Sequence, residues 1–206
     1  MADTYRTVGK DGTGEIEEKK SRFIATLRHV ETQEEAAAFV EEMRKKYWDA
    51  RHNCSAYILG RNGEYRHSSD DGEPSGTAGR PMLDVLDGTG LTDTAVVVTR
   101  YFGGTLLGTG GLVRAYSEAV REGIRHTEVI EKTQRMRLKI TTDYNGVGKL
   151  QYLFAQREVS ILNTDYGENV VLEAAVLPEE AAPLYAAVAD ATGGRAEIEE
   201  TGLGWI

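Results

Sequence analysis

Glycine is concentrated in one part of the chain, and this concentration limits what the chain can fold into. Ten of the 23 glycines lie in the 40 residues from Gly72 to Gly111. Glycine adopts positive φ angles at little cost, and it lets a backbone approach a ligand or another segment closely. We therefore expect any unusual chemistry to lie between Arg66 and Tyr116.

Composition excludes several classes of protein. The 206 residues include 24 Lys and Arg against 33 Asp and Glu, a formal net charge of −9, which excludes a basic nucleic-acid binder but allows a local basic patch. One cysteine, Cys54, excludes an internal disulfide framework and a multi-cysteine zinc site. The amino terminus has no apolar run, and no stretch is apolar over the length of a membrane span. We expect a cytoplasmic protein with no membrane partner and no cofactor.

The part of the chain before the glycines predicts strands around one helix. A Thr-x-x-Glu capping box at Thr32 opens a helix whose apolar residues repeat at helical spacing up to Tyr47. Two extended segments are expected before it, on either side of residues 20–22. Residues 53–59 are typical of a strand, and Asn62-Gly63 is a hairpin turn signal that would return the chain as a second strand.

Three predicted elements surround the glycines. Pro81 suits the first turn of a short helix that ends before Gly88. Residues 94–99 are apolar or β-branched throughout, which is typical of a strand covered on both faces. A longer helix is expected from about Gly110 to Val129.

A second unit is predicted to begin near residue 134. Its pattern indicates the order strand, helix, strand, strand, helix, strand, which is that of a split βαβ, ferredoxin-like sandwich. Apolar and polar residues alternate over 136–141, and Gly193-Gly194 stops the last helix. We therefore predict an α+β protein with domains at 1–133 and 134–206.

The first candidate site is the acidic, glycine-rich string from Asp70 to Gly79. Asp70, Asp71 and Glu73 are three carboxylates within four residues, and they repel one another unless a cation or hydrogen-bond donors balance them. One interpretation, which includes Ser75, is a hard-cation site or a rigid loop whose amides bind a ligand. The other is a structured turn with solvated acids.

The second candidate site joins the predicted buried strand to the long helix. The free N–H groups and the positive dipole end of that helix suit an anion, and the flanking arginines and an outward tyrosine suit phosphates or stacked bases. The alternative is tight backbone packing. Neither a dinucleotide fingerprint nor a Walker loop is present. The candidate anion- or RNA-binding residues are Arg100, Tyr101, Gly103, Gly104, Gly108, Gly110, Gly111 and Arg114.

A third candidate is a cysteine with nearby histidines. His52 and Cys54 are two residues apart, so they lie on the same side of a strand. With His67 or Asp70 across the hairpin they would form a metal site or a Cys–His pair. A small buried cysteine beside an ordinary histidine is the alternative, because no complete ligand set is present.

The two glycine-rich strings resemble those of the YigZ/IMPACT family. They occur in order and at the family's separation, as Asp70-Asp71-Gly72-Glu73-Pro74-Ser75-Gly76 and Arg100-Tyr101-Phe102-Gly103-Gly104 followed by Leu107-Gly108-Thr109-Gly110-Gly111. Lys20-Ser21-Arg22-Phe23 and His52-Asn53-Cys54-Ser55 match the family pattern too. The resemblance covers residues from about 15 to 126, and the second unit resembles the domain that bacterial members carry.

The resemblance implies an amino-terminal domain with the fold of a ribosomal protein's second domain. It implies a carboxy-terminal domain similar to the last domain of elongation factor G. Eukaryotic relatives act in translational control. We therefore predict a non-catalytic, translation-linked regulatory protein that binds RNA or the ribosome, with the ribosome, a structured RNA or a translation-associated protein as partner.

Two further hypotheses stay open. One is a small-molecule or nucleotide-binding enzyme that uses the glycine-rich loop together with a divalent cation at Asp70, Asp71 and Glu73. The other is a protein-interaction module, which exposure of Tyr101, Phe102 and Leu107 would favour.

Overall fold

The computed structural model describes residues 3–206, which form two compact units. One unit is Tyr5–Glu131, and the other joins residues 3–4 to Lys132–Ile206. The elements up to residue 125 are β1 (Thr4–Lys10), β2 (Gly12–Glu18), β3 (Ser21–His29), α1 (Gln33–Lys46), β4 (His52–Leu59), β5 (Tyr65–Ser69), α2 (Gly79–Thr89), β6 (Thr94–Tyr101) and α3 (Thr109–Arg125). The remaining elements are β7 (Glu128–Thr142), α4 (Tyr144–Gln156), β8 (Ser160–Tyr166), β9 (Val170–Val176), a 3-10 turn (Pro178–Glu180), α5 (Ala181–Thr192) and β10 (Glu197–Trp205).

The first unit is built on an antiparallel sheet with the strand order β2-β3-β6-β4-β5. Helix α1 packs on one face, and α2 and α3 pack on the other. The central strand β6 divides its side chains between the two cores, with Val96 and Val98 toward α2 and α3 and Ala95 and Val97 toward α1. The strand expected to be covered on both faces is confirmed.

Helix α1 begins at the predicted capping box. The hydroxyl of Thr32 accepts a hydrogen bond from the Glu35 N–H at 3.1 Å, and the Glu35 carboxylate accepts one from the N–H of Glu31 at 2.7 Å. The buried residues Ala36, Phe39 and Met43 form the stripe that faces the sheet.

The second unit has the element order β7-α4-β8-β9-α5-β10 and an antiparallel sheet with the order β10-β7-β9-β8. Alternate strand residues make one face of the sheet apolar, and both helices cover that face. The Asp143 carboxylate caps α4 by accepting the N–H of Gly146 at 2.6 Å. The core consists of Leu138, Ile140, Leu150, Phe154, Leu172, Ala174, Leu184 and Val188. The predicted α+β class is confirmed.

Both helices next to the glycines differ from their predicted bounds. Helix α3 ends at Arg125 rather than near Val129, because the Thr127 hydroxyl donates to the carbonyl of Gly123 and the chain then enters β7. Helix α2 continues through Gly88 and ends at Gly90, whose φ of 68° is the left-handed conformation that stops a helix.

Two strands were not predicted at their observed length. β1 has no counterpart among the predicted elements. The sequence predicts a last short strand over residues 195–200, whereas β10 continues to Trp205. β10 accommodates this length by a bulge between Glu200 and Gly202 in its pairing with β7. Among residues 3–206, no helix has the length and apolar character needed to cross a membrane.

Strand β2 and helix α3 approach so closely that Gly14 leaves no room for a side chain. A Cβ on Gly14 would lie 2.5 Å from the carbonyl carbon of Glu122 and 2.6 Å from the nitrogen of Gly123. We expect Gly14→Ala to lower the free energy of unfolding by about 1–3 kcal/mol, because α3 must move off the sheet. Urea denaturation followed by circular dichroism measures the change.

A matched control is Gly88→Ala in α2. A Cβ there would have nothing within 4 Å, and α2 continues on both sides of the residue. This substitution should raise the free energy of unfolding by about 0.5–1 kcal/mol, because alanine loses less conformational entropy in a helix. Equal effects of the two substitutions would contradict the close packing of β2 on α3.

Candidate functional site

The two glycine-rich strings face each other across a groove of about 600 Å³ in the first unit. His52 of β4 and Arg100 of β6 are paired residues of neighbouring strands. The groove therefore lies at the end of these strands, where they meet the loops. Its lining residues are Arg51, His52, Gly72, Glu73, Pro74, Arg100, Leu106, Leu107, Gly108, Thr109 and Leu112. A concave site of this size suits a small organic ligand or part of a larger one.

The carboxylate of Asp70 folds the acidic string upon itself. It accepts hydrogen bonds from the N–H groups of Gly76 at 2.8 Å, Ala78 at 3.0 Å and Gly79 at 2.8 Å. It therefore satisfies free amides at the start of α2. Burial raises the pKa of Asp70, but these backbone hydrogen bonds outweigh it and hold the pKa below its ordinary value.

Asp71 is also held by the protein. Its carboxylate accepts Arg44 Nη2 at 2.8 Å and the N–H of Asn53 at 2.7 Å. Its carbonyl oxygen lies 2.9 Å from His52 Nδ1. Since a carbonyl oxygen only accepts, Nδ1 is the donor in this hydrogen bond.

Glu73 is buried in an ion pair with Arg100. Arg100 Nη1 lies 2.7 Å from Glu73 Oε1, and the two side chains are 8% and 3% exposed. The Tyr116 hydroxyl donates to the same oxygen at 2.7 Å, and burial raises the pKa of Tyr116. The guanidinium also lies over the rings of Phe23 and Phe102 at 5.5 and 5.6 Å. Two donors and two aromatic rings thus hold this buried pair.

The carboxylates predicted as cation ligands already have protein donors. Asp70 is bound by amides, Asp71 by Arg44 and Asn53, and Glu73 by Arg100 and Tyr116. Within residues 3–206, no group of three His, Cys, Asp or Glu side chains could hold a metal ion. Ser75 is exposed at the tip of the loop. The geometry gives the acidic string a structural role.

The glycines of the second string serve two geometric needs. A Cβ at Gly103 would collide with the backbone of Lys20 and Ser21, and the Gly103 N–H donates to Ser21 Oγ at 3.1 Å. Gly104 and Gly108 have φ angles of 85° and 72°, which disfavour any residue with a side chain. Gly110 and Gly111 lie in the first turn of α3.

The structure does not bring all the predicted anion-binding residues together. Arg100 lines the groove but is buried against Glu73, so it is not the surface cation that was expected. Tyr101 is half-buried, and its hydroxyl donates to Asp49 at 2.8 Å. Arg114 lies beside Glu17 in a separate depression, because it is two residues after Leu112, which lines the groove, and so lies on a different face of α3.

The cysteine and histidines do not form the alternative site considered for them. Cys54 is buried, donates to the carbonyl of Asp70 at 3.0 Å, and lies 3.4 Å from the Tyr116 hydroxyl. Burial raises the pKa of its thiol, which opposes thiolate chemistry. His67 pairs with Tyr57 in register and stacks on its ring, so it lies away from Cys54. These contacts favour the alternative, a small buried cysteine beside an ordinary histidine.

An exposed surface beside the groove was missed from the sequence. We call it the loop edge, and it consists of Lys19, Lys20, Trp48, Arg51, Phe102 and Leu106. Trp48 and Leu106 are 82% exposed and Phe102 is 53% exposed. The Tyr101–Asp49 hydrogen bond and the contact of Gly103 with Lys20 bring its segments to one end of the sheet. Trp48 directly follows the C-cap residue of α1, Tyr47, and this position just past the end of a helix is the signal that could have found it.

Two family models match the chain. The Impact N-terminal domain matches residues 19–124, which include both glycine-rich strings, and the Domain of unknown function (DUF1949) matches residues 140–195. Both matches agree with the resemblance carried by the sequence motifs.

Individual relatives match over nearly the whole chain. The chain is 41% identical over 206 residues to the IMPACT family member YvyE of Bacillus subtilis (strain 168), covering 100% of this chain and 95% of that protein. It is 40% identical over 182 residues to the IMPACT family member YigZ of Escherichia coli (strain K12), covering 87% and 89%. A solved structure, described as "Crystal structure of an hypothetical protein", is similar with a TM-score of 0.64 and 38% identity over 96% of this chain and 97% of that chain. The chain belongs to the IMPACT family.

Substitution of Asp70 tests the folded acidic string. We expect Asp70→Asn to lower the free energy of unfolding by about 1–3 kcal/mol at pH 7, because buried amides lose a charged acceptor. The pKa of Asp70 is lowered by folding, so its contribution is present above the unfolded-state pKa of about 3.9 and is lost as pH falls through the folded-state pKa. The gap between wild type and variant in urea titrations should therefore be constant from pH 7 to about 5 and shrink below about 4.

The control is Asp84→Asn, which removes an exposed carboxylate paired with Arg80. Its effect should stay within about 0.5 kcal/mol. A gap for Asp70→Asn that keeps its full size in strong acid would mean that the charge of Asp70 does not hold the loop.

Proposed function

We propose that the protein is a non-catalytic, translation-linked regulator that binds RNA or the ribosome through the loop edge. The observation that carries this proposal is the exposure of Trp48 and Phe102 beside three cations, Lys19, Lys20 and Arg51. Exposed aromatic rings stack on bases, worth about 1–3 kcal/mol per base, while lysine and arginine contact phosphates. This combination is typical of proteins that bind single-stranded nucleic acid.

The charge of the chain shapes how such binding would behave. A net charge of −9 opposes nonspecific attraction to RNA, so contact depends on the local cations of the loop edge. Three phosphate contacts to a single strand predict a slope of about −2 in log K against log salt concentration. Stacking adds a component that salt weakens little.

Fold and family support the link with translation. The strand order β10-β7-β9-β8 of the second unit supports the ferredoxin-like label and the similarity to the last domain of elongation factor G. The Impact N-terminal match supports an amino-terminal domain like that of eukaryotic relatives in translational control. With these we propose a domain boundary near residue 133, a ribosomal-protein-like first domain and a cytoplasmic location.

The groove favours one second candidate, a small-molecule binder. Its volume of about 600 Å³ and its apolar walls at Pro74, Leu106 and Leu107 suit the body of a small ligand. The hypothesis that such a ligand binds through a divalent cation has less support, because the carboxylates of Asp70, Asp71 and Glu73 have protein donors. The protein-interaction module has less support, since Leu107 is buried and Tyr101 is half-buried.

The proposal predicts that the loop edge controls ribosome and RNA binding. Trp48→Ala combined with Phe102→Ala should weaken binding at least tenfold, because about 1–3 kcal/mol of stacking is lost at each ring. Co-sedimentation with ribosomes and subunits across a salt series, together with fluorescence titration of single-stranded RNA, measures the loss.

The matched control is Tyr152→Ala, which removes a 68% exposed aromatic ring from the second unit. It should leave binding unchanged. Wild-type protein that fails to bind ribosomes and RNA at low salt would overturn the proposed function. Equal losses from the control and from the loop-edge variant would overturn the assignment to this surface.

A further inference from the structure

The amino end of α3 opens into the groove without an acceptor for its amides. Gly108 is the N-cap residue and brings no side chain, and the first turn of this 17-residue helix contains no acidic residue. The Leu112 N–H bonds to the carbonyl of Gly108, but those of Thr109, Gly110 and Gly111 have no acceptor among residues 3–206. Such an end has free donors and a positive dipole, which favour an anion.

Arg100 supplies a second and independent indication of a ligand. Its side chain is 8% exposed and lines the groove, yet Nη1 is the one guanidinium nitrogen with an acceptor among the described residues. Its Nε is buried without a hydrogen-bond partner. A guanidinium has five N–H donors, and a buried donor without an acceptor costs about 1–3 kcal/mol. An acidic group in the groove would use Nη2, which has no acceptor among the described residues and, unlike Nε, is not buried.

The same chain shows how an anion satisfies a neighbouring helix end. At α2 the carboxylate of Asp70 accepts the amides of Ala78 and Gly79. The chain provides no corresponding carboxylate for α3, because Glu73 is turned toward Arg100 and Tyr116. The group that suits α3 must therefore come from outside the described chain.

The charge and the donors of the groove favour a phosphoryl group as its ligand. Arg51 and Arg100 line the groove against a single carboxylate, Glu73, and Arg51 makes no ion pair with the described residues. Three free amides and two guanidinium groups offer more donors than a carboxylate uses, and they suit the oxygens of a phosphomonoester. We propose that the groove binds a phosphomonoester at the amino end of α3, with Arg100 and Arg51 as its cationic contacts.

The apolar walls fit the rest of such a ligand. Pro74, Leu106 and Leu107 flank the helix end, so a nucleoside attached to the phosphate would contact them. The phosphomonoester has two sources, the 5′ end of an RNA strand and a free nucleoside monophosphate. The inference deepens the proposed function and rests on it for the RNA source, because Arg51 belongs to both the groove and the loop edge.

Thr109→Asp tests the site without disturbing the buried ion pair. Thr109 is exposed in the first turn of α3, where a carboxylate stabilises a helix and occupies the place of an anion. Thr109→Asn is the matched control, because it has nearly the same shape and no charge. Isothermal titration calorimetry with AMP and with inorganic phosphate measures binding, and thermal melting verifies that both variants fold.

We expect wild type to bind AMP, and Thr109→Asp to bind it at least tenfold more weakly than Thr109→Asn, which differs from Thr109→Asp in charge alone. Arg51→Gln should also weaken the binding of AMP, and the wild-type protein should not bind adenosine. A second arm compares one short single-stranded RNA carrying a 5′-phosphate with the same RNA carrying a 5′-hydroxyl. Tighter binding of the phosphorylated strand, lost in Thr109→Asp, identifies the RNA end as a source.

The outcomes separate this inference from the proposed function. If AMP binds with this variant pattern but neither RNA does, the phosphoryl site stands with a free nucleotide as its source, and the proposed function fails. If both RNAs bind equally and neither AMP nor phosphate binds, the proposed function stands and the phosphoryl site is overturned. AMP binding that is equal in Thr109→Asp and Thr109→Asn would overturn the site as well.

Discussion

The buried ion pair between Arg100 and Glu73 is the interaction on which the geometry of the first unit depends. Removing two charges from water is costly, and a buried pair is tolerated only when hydrogen bonds satisfy both partners. Here one oxygen of Glu73 takes donors from Arg100 and from Tyr116, each at 2.7 Å. The pair therefore ties the acidic string to β6, and Tyr116 adds α3 to the same junction. Loss of either charge would leave the other buried and unpaired.

Glycine residues allow the backbone segments at this junction to pack closely. The chain leaves β6 after Tyr101 and must pass directly over the turn between β2 and β3, where Gly103 lies against Lys20. It then turns through positive φ at Gly104 and Gly108 before α3 begins. A side chain at Gly103 would push the loop away from the sheet, whereas Gly104 and Gly108 have room for a Cβ and are required for their positive φ angles. The concentration of glycine is thus explained by close backbone packing as well as by an open helix end.

The two interpretations of the second string were posed as alternatives, but its residues divide between close backbone packing and the free amides of a helix end. Gly103 serves packing, since its amide bonds Ser21 and a Cβ would meet backbone. Gly110 has no backbone or core atom near an added Cβ, and it lies where α3 exposes free amides. One string therefore contains a structural half before Gly108 and a donor-rich half after it.

The pattern of apolar residues predicted the elements that pack on neighbours close in sequence, and those whose faces are all apolar. The run over 94–99 has no polar face, so burial on both sides follows from the sequence, and the stripe of α1 follows from its capping box. β1 was missed because its partners lie far along the chain, beyond the reach of a local pattern. The hydrogen bonds inside the acidic string could not be predicted either. The partners of Asp70 are backbone amides, and no residue type in the sequence marks them. Arg100 lies on the same face of β6 as Val96 and Val98, so the alternation of side chains along a strand predicts that it points inward. Its pairing with Glu73 depends on the tertiary fold.

The arrangement of charges explains how an acidic protein can present a cationic end. The acids nearest the groove are turned inward, with Asp70 on amides and Glu73 on Arg100, whereas Lys19, Lys20 and Arg51 remain exposed. At physiological ionic strength the screening length is about 8 Å, so distant carboxylates contribute little to the potential at this end. A negatively charged ligand therefore meets the local charges of this end rather than the net charge of −9, and here the three cations stand beside the exposed carboxylates of Glu18 and Asp49.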